Sequence, residues 1–406
     1  MDKQLEYAKL IVEVGLNIQK GQRLIIACPV DCAYFARKCA TAAYEAGCKE
    51  VIMNWRDDYL AREKYLKADS SVFDEVAAWQ KEFFNGYAKE GAAYLAISAS
   101  DPENLKGVDP DRILRSEKAS GKALDIFRRQ QMINGFQWCI VSIPIESWAK
   151  KVFPDKENPC DILWEAIYKT MRVYGNGDAV ENWKEYLRKL DERKNKLNSY
   201  RFKSLHYTNS LGTDLTIELP EKHRWESGAD VSTKGIPFVA NMPTEEIFTA
   251  PLKTGINGRI YSCMPLIKDG NMIDGFYFDV KDGKIVDLYA EQGEDILRNS
   301  ISVDEGAAYF GEVALVPYDS PISNQNILFY NTLFDENASC HLAFGEAYPS
   351  CLEGGNEMSE EELKEAGLNS SIAHCDFMVG TADLSIVGID KDGNEVQIFK
   401  DGNFAI

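Results

Sequence analysis

The chain has four histidines, at 206, 223, 341 and 374, and two of them keep company with acids. His374-Cys375-Asp376 leads into the apolar run Phe377-Met378-Val379, which reads as a strand. Residues two apart on a strand project to one face, so the imidazole and the carboxylate converge while Cys375 turns into packing. A hydrogen-bonded structural pair would leave the same signature, because buried polar groups need partners anyway. His341 follows Asp335-Glu336-Asn337-Ala338-Ser339-Cys340 and precedes Leu342 to Tyr348, a stretch that reads as a helix with Ser339 as its N-cap. On such a helix His341 and Tyr348, about two turns apart, share a face, and Glu336 approaches from the loop. The alternative makes Tyr348 a core aromatic and Glu336 a solvated acid. His206 and His223 lie in polar, turn-flanked stretches and read as surface residues.

Two further acids sit where carboxylates are costly. Glu312 interrupts the strand-like run Gly311-Glu312-Val313-Ala314-Leu315-Val316, and facing a core it would need a counter-charge or a metal. Glu245-Glu246 lie between the proline turn Asn241-Met242-Pro243-Thr244 and the strand start Ile247-Phe248, so at least one is expected to point outward. Together Glu246, Glu312, Glu336, His341, His374 and Asp376 could hold two divalent ions with one carboxylate bridging, four negative charges balancing four positive ones. Nitrogen and oxygen donors without thiolate suit Zn, Co or Mn, with Mg possible.

These groups need a scaffold, and the alternation of signals supplies one. The first half begins with a helix ending near Gly15 and the buried strand Leu24 to Ala27. Asp31 is placed to cap a helix carrying Phe35, Cys39, Ala42 and Ala46 on one face, Gly47 ends it, and Val51-Ile52-Met53 starts the next strand. Strands are expected at 93–99 and 138–143, and helices near 73–89, 109–131, 159–173 and 180–198. The expected class is α/β: an N-terminal domain, 1–195, with a largely parallel sheet, then a mixed α+β, strand-rich domain, 196–406. In the second half Lys-Asp-Gly recurs at 268–270, 281–283, 391–393 and 400–402, as tight hairpin turns do, since Gly accepts positive φ. The strand-to-helix turn Cys28-Pro29-Val30-Asp31-Cys32 offers no glycine bed for a pyrophosphate, which disfavours a dinucleotide cofactor.

Composition narrows the function classes. Of 406 residues, 45% are hydrophobic and 27% charged, as in soluble globular proteins. The 45 basic against 64 acidic residues give a net charge of −19, which repels phosphate backbones and anionic membrane surfaces. No nucleic acid or membrane partner is expected. Ten cysteines fall mostly in apolar runs with no C-x-x-C pair, so they read as buried hydrophobes in a reducing compartment. No apolar run reaches the ~18 residues of a membrane span and the first residues form no apolar leader, so the expected address is cytoplasmic.

Four blocks carry a resemblance: Asn241-Met-Pro-Thr-Glu-Glu-Ile-Phe-Thr-Ala-Pro251, Gly311 to Val316, Phe334 to Tyr348 and His374 to Gly380. In content and order they resemble the metal-site blocks of the M29 metallopeptidases, and the likeness extends from Tyr7 to the end of the chain. It implies metal ligands at Glu246, Glu312, Glu336, His341, His374 and Asp376 with Tyr348 beside them, a homodimer, and a catalytic C-terminal domain. At Cys263-Met264-Pro265 the chain departs from a Thr-Lys-Pro-like continuation, which bears on substrate preference. The expected activity is that of a metal-dependent aminopeptidase acting on peptides with a free N-terminus. A hydroxide held between two metals attacks the scissile carbonyl, Tyr348 donates to the developing oxyanion, and Glu246 or Glu312 takes the water's proton. The rivals are a Cys/His hydrolase using Cys340 or Cys375, and a binding module whose acids only store metal.

Overall fold

The computed structural model describes every residue except Met1, Pro102, Asp269 and Gly270. Two compact units emerge, one of residues 1–186 and 229–243, the other of 187–228 and 244–406. The division falls inside the helix Ala179–Tyr200.

The first unit is built on five parallel strands in the spatial order Asn241–Met242, Trp138–Ser142, Ala93–Ser98, Arg23–Pro29 and Glu50–Arg56. Parallel strands need crossovers, and helices supply them. Ala33–Glu45 buries Phe35, Ala36, Cys39, Ala42 and Ala43, a stripe at helical spacing. Its entry differs from the expectation: Asp31 lies in a 3-10 turn, Val30–Cys32, and the N-cap position is Cys32 without a side-chain cap. The expected helix at 73–89 begins later, as Ala78–Glu90, and that at 109–131 is broken into Pro110–Ala123 and Asp125–Met132. A further helix, Asp58–Lys67, buries none of its side chains, so it has no apolar face for a periodicity to reveal.

The second unit stacks two antiparallel sheets. One has nine strands among the described residues, including the long hairpin Asn271–Lys281 and Lys284–Gln292. The turn of that hairpin places Asp282 at φ 50° and Gly283 at φ 77°, the paired positive angles of a tight type I′ connection. Asp401 and Gly402 repeat the pair at φ 49° and 69°. The Lys-Asp-Gly at 268–270 lies partly outside the described residues.

The other sheet has five strands, ordered His374–Met378, His341–Gly345, Phe310–Leu315, Ile247–Thr249 and Glu226–Ser227. Here the helix expected over 342–348 is corrected: His341–Gly345 is a strand, paired on both sides and buried throughout. A short continuous apolar run does not reveal its own period, and the two flanking strands decide it. Alternation then sorts this sheet's side chains. Phe310, Phe344 and Phe377 contact Phe278 of the larger sheet at centroid distances of 6.4, 6.0 and 5.2 Å, and Asp376, next to Phe377, takes the opposite face.

Phe377 also packs on Phe276 and Phe310, at 5.7 and 6.2 Å. Phe377→Ala is therefore expected to lower the unfolding free energy by about 3–5 kcal/mol. Urea denaturation measures this, and a loss below about 1 kcal/mol contradicts the assigned packing.

Candidate metal centre

Three adjacent strands bring the predicted acids and histidines to one face. In the ladder Glu312 is opposite Ala343, which is opposite Asp376; one step along, His341 is opposite Ala314 and Met378, and Gly345 is opposite His374. Directly opposed residues share a face, so functional groups surround the short side chain of Ala343. The register shifts between Phe310 and Glu312. Such a bulge re-aims the residue that follows it, here Glu312. Gly311 and Gly345 permit the close packing: a Cβ at Gly311 would lie 2.0 Å from the Glu346 carbonyl oxygen, and one at Gly345, whose φ is 108°, 2.1 Å from that of Ala373.

Glu312 is the centre of the arrangement. Its Oε1 is 3.5 Å from His341 Nε2 and its Oε2 is 3.5 Å from His374 Nε2. Glu246 Oε2 lies 3.3 Å from His341 Nε2, and Asp376 Oδ1 lies 3.3 Å from His374 Nε2. The result is two triads, Glu246-Glu312-His341 and Glu312-His374-Asp376, each with its donor atoms within 4.8 Å of one another, and both containing Glu312. Glu336 stands in the 3-10 turn Glu336–Ala338 outside both triads, and it lines a small cavity together with Asp376.

The backbone orients each imidazole. His341 Nδ1 faces the Ser339 carbonyl at 3.2 Å and His374 Nδ1 faces the Glu346 carbonyl at 2.9 Å. With Nδ1 donating to a carbonyl, Nε2 is the nitrogen that faces the carboxylates: protonated it donates to them, and deprotonated it offers a lone pair to a cation. Asn337, fully buried, accepts from the Glu245 N–H at 2.8 Å and donates to Glu336 Oε1 at 3.4 Å. It ties the loop before Ile247 to the turn carrying Glu336.

Electrostatics reflects crowding. Burial, opposed by the His341 hydrogen bond, holds the Glu312 carboxyl above the usual range. Burial and then the charges of Asp376 and Glu246 lift Glu336 well above it. For His341 burial works against the charged form, but Glu246 and Glu312 outweigh it and hold the pKa well above that of an ordinary histidine. His374 is raised to about 10, burial being overcome by Asp376 and then Glu312. Asp376 itself is lowered, since His374 prevails over burial. Among the described residues, the ion-pair partners of Glu246, Glu312 and Asp376 are these two imidazoles. A buried set of four carboxylates with two imidazoles is short of positive charge, and nitrogen and oxygen donors in this ratio suit divalent cations.

Other expected placements differ. Neither Glu245 nor Glu246 points outward: Glu245 is buried and the Glu246 side chain is 14% exposed, because the chain here enters the sheet and is held by Asn337. His223 is buried, with Nδ1 2.9 Å from the Pro220 carbonyl, whereas His206 is half exposed and pairs with Asp214 at 2.8 Å. Tyr348 shares no helical face with His341. It follows the strand end at Gly345, and its ring lies 5.3 Å from that of His374 and 6.3 Å from that of Phe248. Cys340 offers no nucleophile: burial pushes its thiol up to about 12, and Sγ donates to the Val316 carbonyl at 3.2 Å. All ten cysteines are free. No helix among the described residues is long and apolar enough to cross a membrane.

The profile of the thermophilic metalloprotease (M29) family matches residues 1–404. Aminopeptidase AmpS of Bacillus subtilis (strain 168) is 47% identical over 401 residues, covering 98% of this chain and 97% of that protein. Aminopeptidase 2 of Geobacillus stearothermophilus is 44% identical over 407 residues, covering 100% and 98%. The structure of wild-type AmpT from Thermus thermophilus superposes with a TM-score of 0.92 at 36% identity, over 100% of this chain and 99% of that one. Sequence, fold and the chemistry of the donor set agree from end to end, and the chain belongs to the M29 metallopeptidases, a family of hydrolases.

Proposed function

We propose that this metallo-aminopeptidase uses a dinuclear centre, in which Glu246, Glu312 and His341 hold one divalent cation, Glu312, His374 and Asp376 hold the other, and Glu336 completes the acid set. The observation that carries the reading is the sharing of Glu312, whose two oxygens each face a different imidazole at 3.5 Å. When bound, such a pair of Zn, Co or Mn ions supplies an acidified water and positive charge for a carbonyl oxygen.

The chain's own groups do the rest. Glu312 has both oxygens committed to histidines, whereas Glu246 has one such contact and is the more exposed of the two. Glu246 is therefore the acid that takes the proton from the attacking water. Tyr348, 42% exposed yet with its ring tilted against that of His374, is placed to donate its hydroxyl to the oxygen on which charge develops. The acidic surroundings favour a terminal ammonium, so the substrates are peptides with a free N-terminus, cut one residue at a time. The family likeness supports a homodimer and, with ten free thiols, a cytoplasmic address; the catalytic domain is the second unit, residues 187–228 and 244–406, rather than an unbroken 196–406.

Dialysis against a strong chelator is expected to abolish peptide hydrolysis, and two equivalents of divalent ion per chain to restore it. N-acetylation of a good substrate is expected to abolish turnover. Full activity without metal, or efficient cleavage of acetylated peptide, contradicts the reading. Tyr348→Phe keeps the ring contact with His374 and removes the hydroxyl. Its kcat is expected to fall ~10²–10³-fold, with KM, bound metal and melting temperature near wild type, because the interaction belongs to the transition state. Unchanged kcat in a fully metallated variant removes Tyr348 from the chemistry.

A further inference from the structure

Beside the metal-binding groups lies a cavity of about 60 Å³ walled by Glu336 and Asp376 together with Leu266, Ile267, Tyr330 and Met378. Pockets for whole small-molecule ligands run to roughly 300–1,000 Å³, so this one has room for a single side chain. Its apolar wall is an extension of the metal face. Met378 is the next residue on that face after His374 and Asp376, and it is opposite His341 in the ladder.

The other walls are anchored before any ligand arrives. The Cys263 N–H donates to the Met378 carbonyl at 2.9 Å and Cys263 Sγ to the Gly380 carbonyl at 3.3 Å, which ties the segment leading to Leu266 and Ile267 onto the same strand. Tyr330 has φ 54°, a conformation that L side chains rarely adopt. The buried Asp335 carboxylate fixes it from both sides, accepting from the Phe329 N–H at 2.8 Å and the Asn331 N–H at 2.9 Å. Walls held in this way are preorganised for a fixed shape.

We infer that this cavity receives the side chain of the substrate's N-terminal residue and selects aliphatic side chains of leucine or methionine size over anionic ones. The inference deepens the aminopeptidase reading above and rests on it. A residue whose carbonyl lies at the metal centre has its side chain within reach of a pocket that shares Glu336 and Asp376 with that centre. Leu266, Ile267 and Met378 reward buried methylenes, while Asp335, Glu336 and Asp376 disfavour an anionic side chain.

The test is kcat/KM for alanyl, leucyl, tryptophanyl and aspartyl amide reporters in wild type, Ile267→Phe and Ile267→Ala, with bound metal measured on each preparation. Wild type is expected to prefer leucyl over alanyl and tryptophanyl, with aspartyl poorest. Since one methylene in such a pocket is worth about 10–200-fold, Ile267→Phe is expected to lower the leucyl-to-alanyl ratio by that order. Ile267→Ala is expected to raise the tryptophanyl-to-leucyl ratio similarly. The ratios isolate the pocket from stability, because a folding defect scales all substrates alike. Ratios within about twofold of wild type in both variants, in protein that cleaves with full metal content, overturn the pocket assignment alone. A wild type with no metal-dependent cleavage of any reporter overturns the aminopeptidase reading and the pocket with it.

Discussion

The buried carboxylate of Glu312, shared between His341 and His374, sets the condition that the rest of the second unit satisfies. Like charges about 4 Å apart repel by about 4 kcal/mol at an effective dielectric of 20, and each triad holds two carboxylates with donor atoms inside 4.8 Å. Several such repulsions would consume a large part of the roughly 5–15 kcal/mol that holds a folded protein together. Burial first, and then the charges of Asp376 and Glu246, push Glu312 and Glu336 toward their neutral forms, while the facing carboxylates overcome burial and push both histidines toward their charged ones. In the proposed centre, divalent cations held by the triads would replace those protons with fixed positive charge.

The five-stranded sheet tolerates this crowding because its two faces do different work. Phe310, Phe344 and Phe377 lock one face onto Phe278 of the larger sheet, and that apolar contact fixes the strands against sliding. A slip of one residue would exchange the faces and bury the acids among phenylalanines. On the other face Ala343 keeps its side chain short between Glu312 and Asp376. Gly311 and Gly345 let neighbouring backbone approach where a Cβ would collide. Outside the sheet, carbonyls of Ser339 and Glu346 and the amide of Asn337 orient the candidate ligands. Such outer contacts typically govern metal affinity by 10–100-fold.

Much of this was legible in residue order, and the parts that were not have identifiable causes. His374 and Asp376 could be placed on one strand face because period-two alternation is local, whereas the meeting of that face with Glu312 depends on the strand between them. Four of the first unit's five parallel strands announced themselves through apolar runs closed by turn residues; Asn241–Met242, which reads as a proline turn, becomes the fifth only by pairing with Trp138–Ser142. His341 to Gly345 misled, since His-Leu-Ala-Phe-Gly has no periodicity of its own and becomes a strand only between two others. Tyr348 therefore reaches His374 from the segment beyond the strand end and not from a helical face shared with His341. Asn337 gave one faint signal, an uncharged polar residue directly after Asp335-Glu336. Nothing local could reveal that its partner is Glu245, 92 positions earlier. The environment of Tyr330 and Met378 was equally hidden, because a cavity is a property of distant segments.

The central claim is that one carboxylate bridges two cations. Anomalous diffraction from crystals of the metal-loaded enzyme, collected at the absorption edge of the activating ion, addresses it without recourse to kinetics. Two peaks of comparable occupancy are expected, roughly 3.5–4 Å apart, one against Glu246 and His341, the other against His374 and Asp376, with the Glu312 carboxylate between them. A single peak, or a pair whose shared ligand is not Glu312, contradicts the account.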